Sequence, residues 1–279
     1  MSVRLFVCAL LLFSQAALAA MEVRVSDSRQ SNIYMDALVW LLDKSGEEYQ
    51  LIHTDHPTST QKRKVIMLRQ REIDVIYAGF TEELGDALLA IRYPITRGLI
   101  GNRLLVIHQQ QQADYAMVKS LQDLQQHAAL LGFGWPEVAL FTANRMPVYE
   151  RIYDEIFVSM DRGHTGYFSR GILEVYGELH DRPELTNLMI EPHILLRYPS
   201  AVFFYVHPEN QALAQALQRG FELGYEDGSY LTFFYNHPLV KQALQRSNLP
   251  KRWVIDIEHP WFNDIYHSIP ADYWHSDEP

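Results

Sequence analysis

The chain has 279 residues and one cysteine, Cys8, which lies among the first twenty. Past that position no intrachain disulfide, thiol nucleophile or thiolate metal site can be built, so packing alone must hold the fold. Long apolar runs are scarce. The early one, Leu5 to Phe13, is about half the ~20 residues that a spanning helix needs, and no later stretch is long and apolar enough. Basic charge is short as well: 24 Lys and Arg against 34 Asp and Glu leave a formal net charge of −10. That balance speaks against nucleic acid, whose phosphates need clustered cations, and Lys62-Arg63-Lys64 reads as a solvated helix face. The chain lacks G-x-S-x-G, Walker and His-Glu-x-x-His sequences, and it has no repeat of short period. Glu47-Glu48 and Glu82-Glu83 are adjacent pairs that point apart as solvated charge. His53 and His56 flank Asp55 without metal-ligand spacing. The expectation is a protein that is not an enzyme and that uses no cofactor and no metal.

What is present starts with an export signature. Arg4, the apolar run and Ala17-Leu18-Ala19 predict a leader, residues 1–19, cut near Ala19, which leaves an unanchored chain in the periplasm. After it, 48% apolar and 21% charged residues describe a globular chain long enough for one large domain or two lobes.

The hydrophobic pattern alternates between strand and helix. Glu22 to Val25 reads as a strand and the spacing of Tyr34, Leu38, Leu41 and Leu42 as a helix stopped by Gly46. Tyr49 to His53 is a second strand, Thr58 and Gln61 suggest a capping box, and Ile73 to Ala78 is a third strand. This order predicts a parallel sheet with crossover helices, whose ligands gather beyond the strand ends at Ser26-Asp27-Ser28 and Ala78 to Thr81. Leu104 to His108 is a further strand, and Gln109 to Gln112 is the least structured composition in the chain. A second α/β set follows, with a strand at Ala129 to Phe133, helices after Pro136, over Ile152 to Met160 and over Ile172 to Leu179, and a return strand at Ala201 to Val206.

The expected architecture is α/β with two sheets and crossover helices, in two lobes joined by a two-strand hinge. Residues 20–108 would form the first part of lobe 1, 109–200 lobe 2, and 201–279 the return to lobe 1 with a C-terminal strap. The aromatic tail from His259 to His275 fits a strap packed on the first lobe, or an interaction patch. A cleft between such lobes is commonly used to close on a small solute.

Several pieces in order carry a resemblance. They are Ala90-Ile91-Arg92-Tyr93-Pro94, Gly98 to Ile107, Ser120-Leu121-Gln122-Asp123-Leu124, Gly132-Phe133-Gly134-Trp135, Tyr167 to Ile172, Tyr198 to Phe204 and Asp227-Gly228-Ser229-Tyr230. The chain resembles the type II periplasmic solute-binding proteins, in the branch called bacterial extracellular solute-binding protein family 3. The resemblance implies the two-lobed periplasmic binding protein type II fold, a small-molecule solute, an inner-membrane permease or sensor as partner, and a monomer without membrane insertion. Amino-acid binders of that family carry an Arg about nine residues before the proline matched by Pro94, and here Gly85 stands there. Their second-lobe Asp has no counterpart between Gly166 and Gly171. A zwitterion would lose both charge partners, so the fold is expected without the usual specificity.

The candidate ligand residues are Ser26, Thr81, Arg92, Arg103, Trp135 and Arg170. The arginines suit a carboxylate or phosphate and suggest an anionic solute. For Arg170 the competing role is an ion pair with Glu174, one turn further along an expected helix. Trp135 could stack on a ligand or simply pack, and the free N–H groups at the Gly132 to Trp135 helix start could hold an anion. Ser26 and Thr81 serve equally as turn or helix caps. A protein-interaction module with a degenerate cleft is the second reading.

Overall fold

The computed structural model describes residues 20–26, 32–54 and 60–276. The expected leader with Cys8, the Thr58 cap, and Asp27, Ser28, Asp55 and His56 lie outside these residues.

The first segment runs β1 (Met21–Val25), α1 (Ile33–Ser45), β2 (Tyr49–His53), α2 (Gln61–Arg69), β3 (Val75–Gly79), α3 (Glu82–Ala87) and β4 (Leu89–Ile91). Local chemistry sets its boundaries. The Asn32 side chain accepts from the Tyr34 and Met35 N–H groups at the start of α1, and Gly46, with φ of 77°, ends that helix as expected. At α2 the cap is Thr60, whose side chain accepts from the Arg63 N–H.

The middle segment runs β5 (Asn102–His108), α4 (Gln112–Tyr115), α5 (Leu121–Leu124), β6 (Ala129–Gly132), α6 (Pro136–Ala143), β7 (Val148–Arg151), α7 (Tyr153–Asp161), β8 (Phe168–Gly171), α8 (Val175–His180), β9 (Leu188–Ile190) and β10 (Ile194–Arg197). The last comprises β11 (Val202–Val206), α9 (Gln211–Glu226), α10 (Ser229–Asn236), α11 (Pro238–Ser247), β12 (Trp253–Asp256) and α12 (Asn263–Ser268). The four glutamines are ordered, contrary to expectation. Gln109–Gln111 form a 3₁₀ turn into α4, and the His108 side chain accepts from the Gln110 N–H. Glutamine is a good helix former once a cap starts the turn.

The two sheets share one plan. In the first, β1 pairs with β2 in parallel, and the Asp74 N–H donates to the Arg24 carbonyl (2.8 Å) to seat β1 beside β3. β11 then pairs antiparallel with both β3 and β4. In the second, β6 pairs with β7 in parallel and reaches β8 through a parallel bridge between Ala129 and Tyr167. β5 pairs antiparallel with β8, β9 and β10. Each lobe thus takes its one antiparallel inner strand from the chain arriving out of the other lobe.

This pairing corrects the expected division at residue 109. β5 belongs to the second sheet, because its partners are β8, β9 and β10 rather than β3 or β4. The last segment is divided too: β12 pairs in parallel with β10, in the second sheet, before the tail returns. Among the tail residues, Phe262, Ile269 and Trp274 join the first-lobe cluster of Ala201, Phe203 and Tyr205.

The exchanged strands are buried on both faces. In β11, Val202, Phe204 and Val206 point into one core cluster and Phe203 and Tyr205 into another. In β5, Leu104 and Val106 enter one cluster and Leu105 and Ile107 the next. A period of two with both faces covered produces continuous apolar runs, which is why these strands stand out in the sequence.

Candidate functional site

Both crossings between the lobes touch each other. The Tyr198 N–H donates to the Gly101 carbonyl (3.2 Å), where one chain leaves the first lobe and the other comes back. A cavity of about 340 Å³ opens beside this junction. The first lobe contributes Tyr34 near the start of α1, Gln61 on α2, and Tyr77 to Phe80 at the end of β3; the crossings contribute Ile100, Tyr198 and Ser200. The second lobe contributes Arg103 on β5, Trp135, Pro136 and Glu137 at the start of α6, and Arg170 on β8 with Glu174. His259 closes one end from the tail. The carboxyl end of β3 therefore lies where a parallel-sheet reading puts a ligand.

Three of the six candidate residues meet in this cleft: Arg103, Trp135 and Arg170. Three do not. Ser26 is buried in a separate small cavity with Lys64 and Tyr77. Thr81 caps α3, its hydroxyl accepting from the Leu84 N–H (3.2 Å). Arg92 is exposed, away from the cleft lining.

Arg170 sits on a strand, not on the expected helix, and its guanidinium pairs with two carboxylates. Nε donates to Glu178 Oε2 (2.8 Å), and Nη2 donates to Glu178 Oε1 (2.5 Å) and lies 3.2 Å from Glu174 Oε2. Its face lies over Trp135, 5.0 Å from the ring centroid, and over Phe168 at 5.1 Å. Burial would lower the Arg170 pKa, but the Glu174 and Glu178 carboxylates raise it above its usual value. Burial would raise the Glu178 carboxyl, yet Arg170 and the Tyr153 hydroxyl hold it below the usual range. The ion-pair role for Arg170 is the one realised.

Arg103 is also buried. It donates to the Ile100 carbonyl (3.2 Å) and the Ser169 carbonyl (3.0 Å), with Glu174 at 3.6 Å and Glu137 at 4.0 Å. Its Nε has no hydrogen-bond partner. The helix start at Gly132 to Trp135 is not a free anion cradle, because the Gly134 N–H donates to Glu150 (3.0 Å). Trp135 packs against Gly132 and Arg170, so packing accounts for most of its ring.

Sequence reasoning placed the Ala78 to Phe80 end of β3 at the ligand but missed the aromatic pair of the first-lobe wall. Tyr34 and Tyr77 stack with ring centroids 4.4 Å apart and an interplanar angle of 12°. Tyr34 and Glu174 both line the cleft, and burial, with Glu174 adding to it, raises the Tyr34 hydroxyl pKa. Burial likewise raises the Tyr198 hydroxyl pKa and lowers that of His259, whose Nδ1 lacks a partner. The only local signal for Tyr34 was its place in an apolar helix stripe, which reads as core. Among the described residues, no group of three or more His, Cys, Asp or Glu could hold a metal, and no helix is long and apolar enough to cross a membrane.

No protein-family model matches the chain, and no curated protein matches it either. Solved structures do. One is a probable amino-acid ABC transporter extracellular-binding protein from Bacillus subtilis, at TM-score 0.58 and 12% identity over 78% of this chain and 97% of that chain. The GluR0 ligand-binding core in complex with L-glutamate follows at TM-score 0.56 and 12% identity, over 78% of this chain and 97% of that one. An ancestral arginine-binding protein bound to arginine matches at TM-score 0.53 and 15% identity, over 77% and 96%. The fold is therefore the two-lobed type II periplasmic binding protein fold.

Proposed function

We propose that this protein binds a small solute between its two lobes and hands it to a membrane transporter. The observation that carries the reading is the cleft itself. Its lining comes from the end of β3, the start of α6 and the β8–α8 turn, so both lobes and both crossings touch whatever sits inside. Solved proteins of similar fold include a probable amino-acid ABC transporter extracellular-binding protein and an arginine-binding protein, which supports transport over catalysis. The protein is read as a monomer that works outside the cytoplasm after its leader is removed, and that performs no chemistry on its ligand.

The pivot belongs at residues 95–102 and 198–201, where the chain passes between sheets, instead of at 109 and 200. The anionic solute suggested by the arginines is set aside, because Glu178 and Glu174 already pair with Arg170 through Nε and Nη2. Thermal-shift measurements on the purified chain test the reading with amino acids, amines, carboxylic acids, sugars and phosphates. A ligand raises stability by RT ln(1 + [L]/Kd), so at least one class should shift the midpoint in a concentration-dependent way. A flat response to every class would refute solute binding.

A further inference from the structure

We infer that the solute is an organic cation without a free carboxylate, held by Glu137 and Glu174. The inference rests on the solute-binding reading and names the chemistry of the same cleft.

Exposure separates the two kinds of charge in the cleft. The sequence places two arginines at the cleft, but their side chains are only 3% (Arg103) and 8% (Arg170) exposed. The carboxylates paired with them are less buried: Glu137 is 27% exposed and Glu174 33%. Arg103 and Arg170 line the cavity as well, but the carboxylate side chains are the more exposed to an entering solute. Net charge points the same way. Among the lining residues Glu137 and Glu174 balance Arg103 and Arg170, and Glu178, outside the lining, adds a further negative charge beside Arg170.

The opposite wall does not restore the balance. Among the described residues its lining, Tyr34, Gln61 and Tyr77 to Phe80, includes no lysine or arginine. Lys64 lies 5.3 Å from the Tyr77 ring centroid, yet it lines the separate Ser26 cavity and not the cleft. Tyr34 and Phe80 instead offer aromatic surface, which tolerates a cation and gains nothing from an anion. His259 does not supply positive charge either, since burial lowers its pKa and favours the neutral ring.

A ligand carboxylate would face two carboxylates in a partly desolvated space, and the Arg103 and Arg170 guanidiniums there are already paired with carboxylates. An ammonium or guanidinium group would meet Glu137 directly. Glu174 is partly committed, because its Oε2 also accepts from the Gly171 N–H (3.1 Å). Glu137 has Arg103 at 4.0 Å as its nearest ion partner, so it is the freer acceptor.

The test is a thermal-shift and calorimetric titration of the full chain with choline, 1,4-diaminobutane and arginine methyl ester. Succinate, L-glutamate, inorganic phosphate and glucose form the other arm. Stabilisation by at least one cation and by none of the anions is the expected result. Binding confined to succinate, glutamate, phosphate or glucose overturns the cation assignment and leaves the solute-binding reading standing. Silence from every probe overturns both. Glu137→Gln should weaken the responding cation at least tenfold without lowering the midpoint of the free protein. Unchanged affinity in that variant would remove Glu137 from the assignment, and Glu174→Gln, scored by affinity against its own ligand-free midpoint, then decides whether a carboxylate grip exists. If neither variant changes affinity, the inference fails.

Discussion

Arg170 and Glu178 form a two-point fork, Nε to Oε2 at 2.8 Å and Nη2 to Oε1 at 2.5 Å, with side chains only 8% and 14% exposed. Removing one partner of such a buried pair strands the other charge, which typically costs about 3–5 kcal/mol. Arg170→Met should therefore destabilise the protein by that order in urea unfolding. Arg170→Lys should recover little of the loss, because a point charge cannot reproduce the fork. Loss of ligand response in either variant reports a weakened second lobe before it reports a missing ligand contact.

Acid should destabilise the protein in two stages. The Glu178 carboxyl lies below its usual value in the folded state, so the unfolded chain takes up its proton first. That stabilisation is complete above the unfolded carboxylate range and is lost as pH falls through the folded value. Burial also lowers the His259 pKa below the ordinary imidazole value. Below that value the unfolded chain binds the extra proton, so stability declines from near neutrality downward. Thermal midpoints measured from pH 8 to pH 4 should fall throughout. His259→Asn should flatten the upper part of the curve and Glu178→Gln the lower part. A His259 variant with an unaltered profile between pH 7 and pH 5 would disprove the first stage.

The crossings leave no room for a side chain at Gly101, where a Cβ would overlap the Tyr198 carbonyl. Gly101→Ala should push the two connections apart, at about 1–3 kcal/mol of overpacking. Gly220 provides a control: a Cβ there would overlap the Leu41 carbonyl, at the α1–α9 contact inside the first lobe. Both alanine variants should lose stability. Only the Gly101 variant should alter the small-angle scattering profile of the ligand-free protein. Identical profiles would mean that the junction does not set the lobe arrangement.

The tail should be part of the first lobe's core. Phe262 is 1% exposed, and its ring centroid lies 5.5 Å from that of Phe80, which lines the cleft. Phe262→Ala should cost about 3–5 kcal/mol, as for other buried aromatics. It should also weaken the response of any ligand that shifts the parent protein. A midpoint within one degree of the parent would show that the tail is peripheral.

The sequence by itself determined the strand and helix order of the first segment as far as β3, because those elements follow from local periodicity and caps. In contrast, β8, read as helix, and β7, β9, β10 and β12 were not legible. Gly46 ends α1 in the left-handed conformation and Pro136 opens α6, both as expected. The doubly buried strands Leu104 to His108 and Ala201 to Val206 were equally legible. Their partners were not: hydrophobic runs state that a strand is buried, not against what. Only the tertiary structure decided that β5 joins the second sheet and that β12 comes back to it. The same limit applies to the cleft. Residue type identified Arg103 and Arg170 as charged groups in the right segments, but which charge faces solvent depends on depth. Tertiary packing left the Glu137 and Glu174 side chains more exposed than those of Arg103 and Arg170.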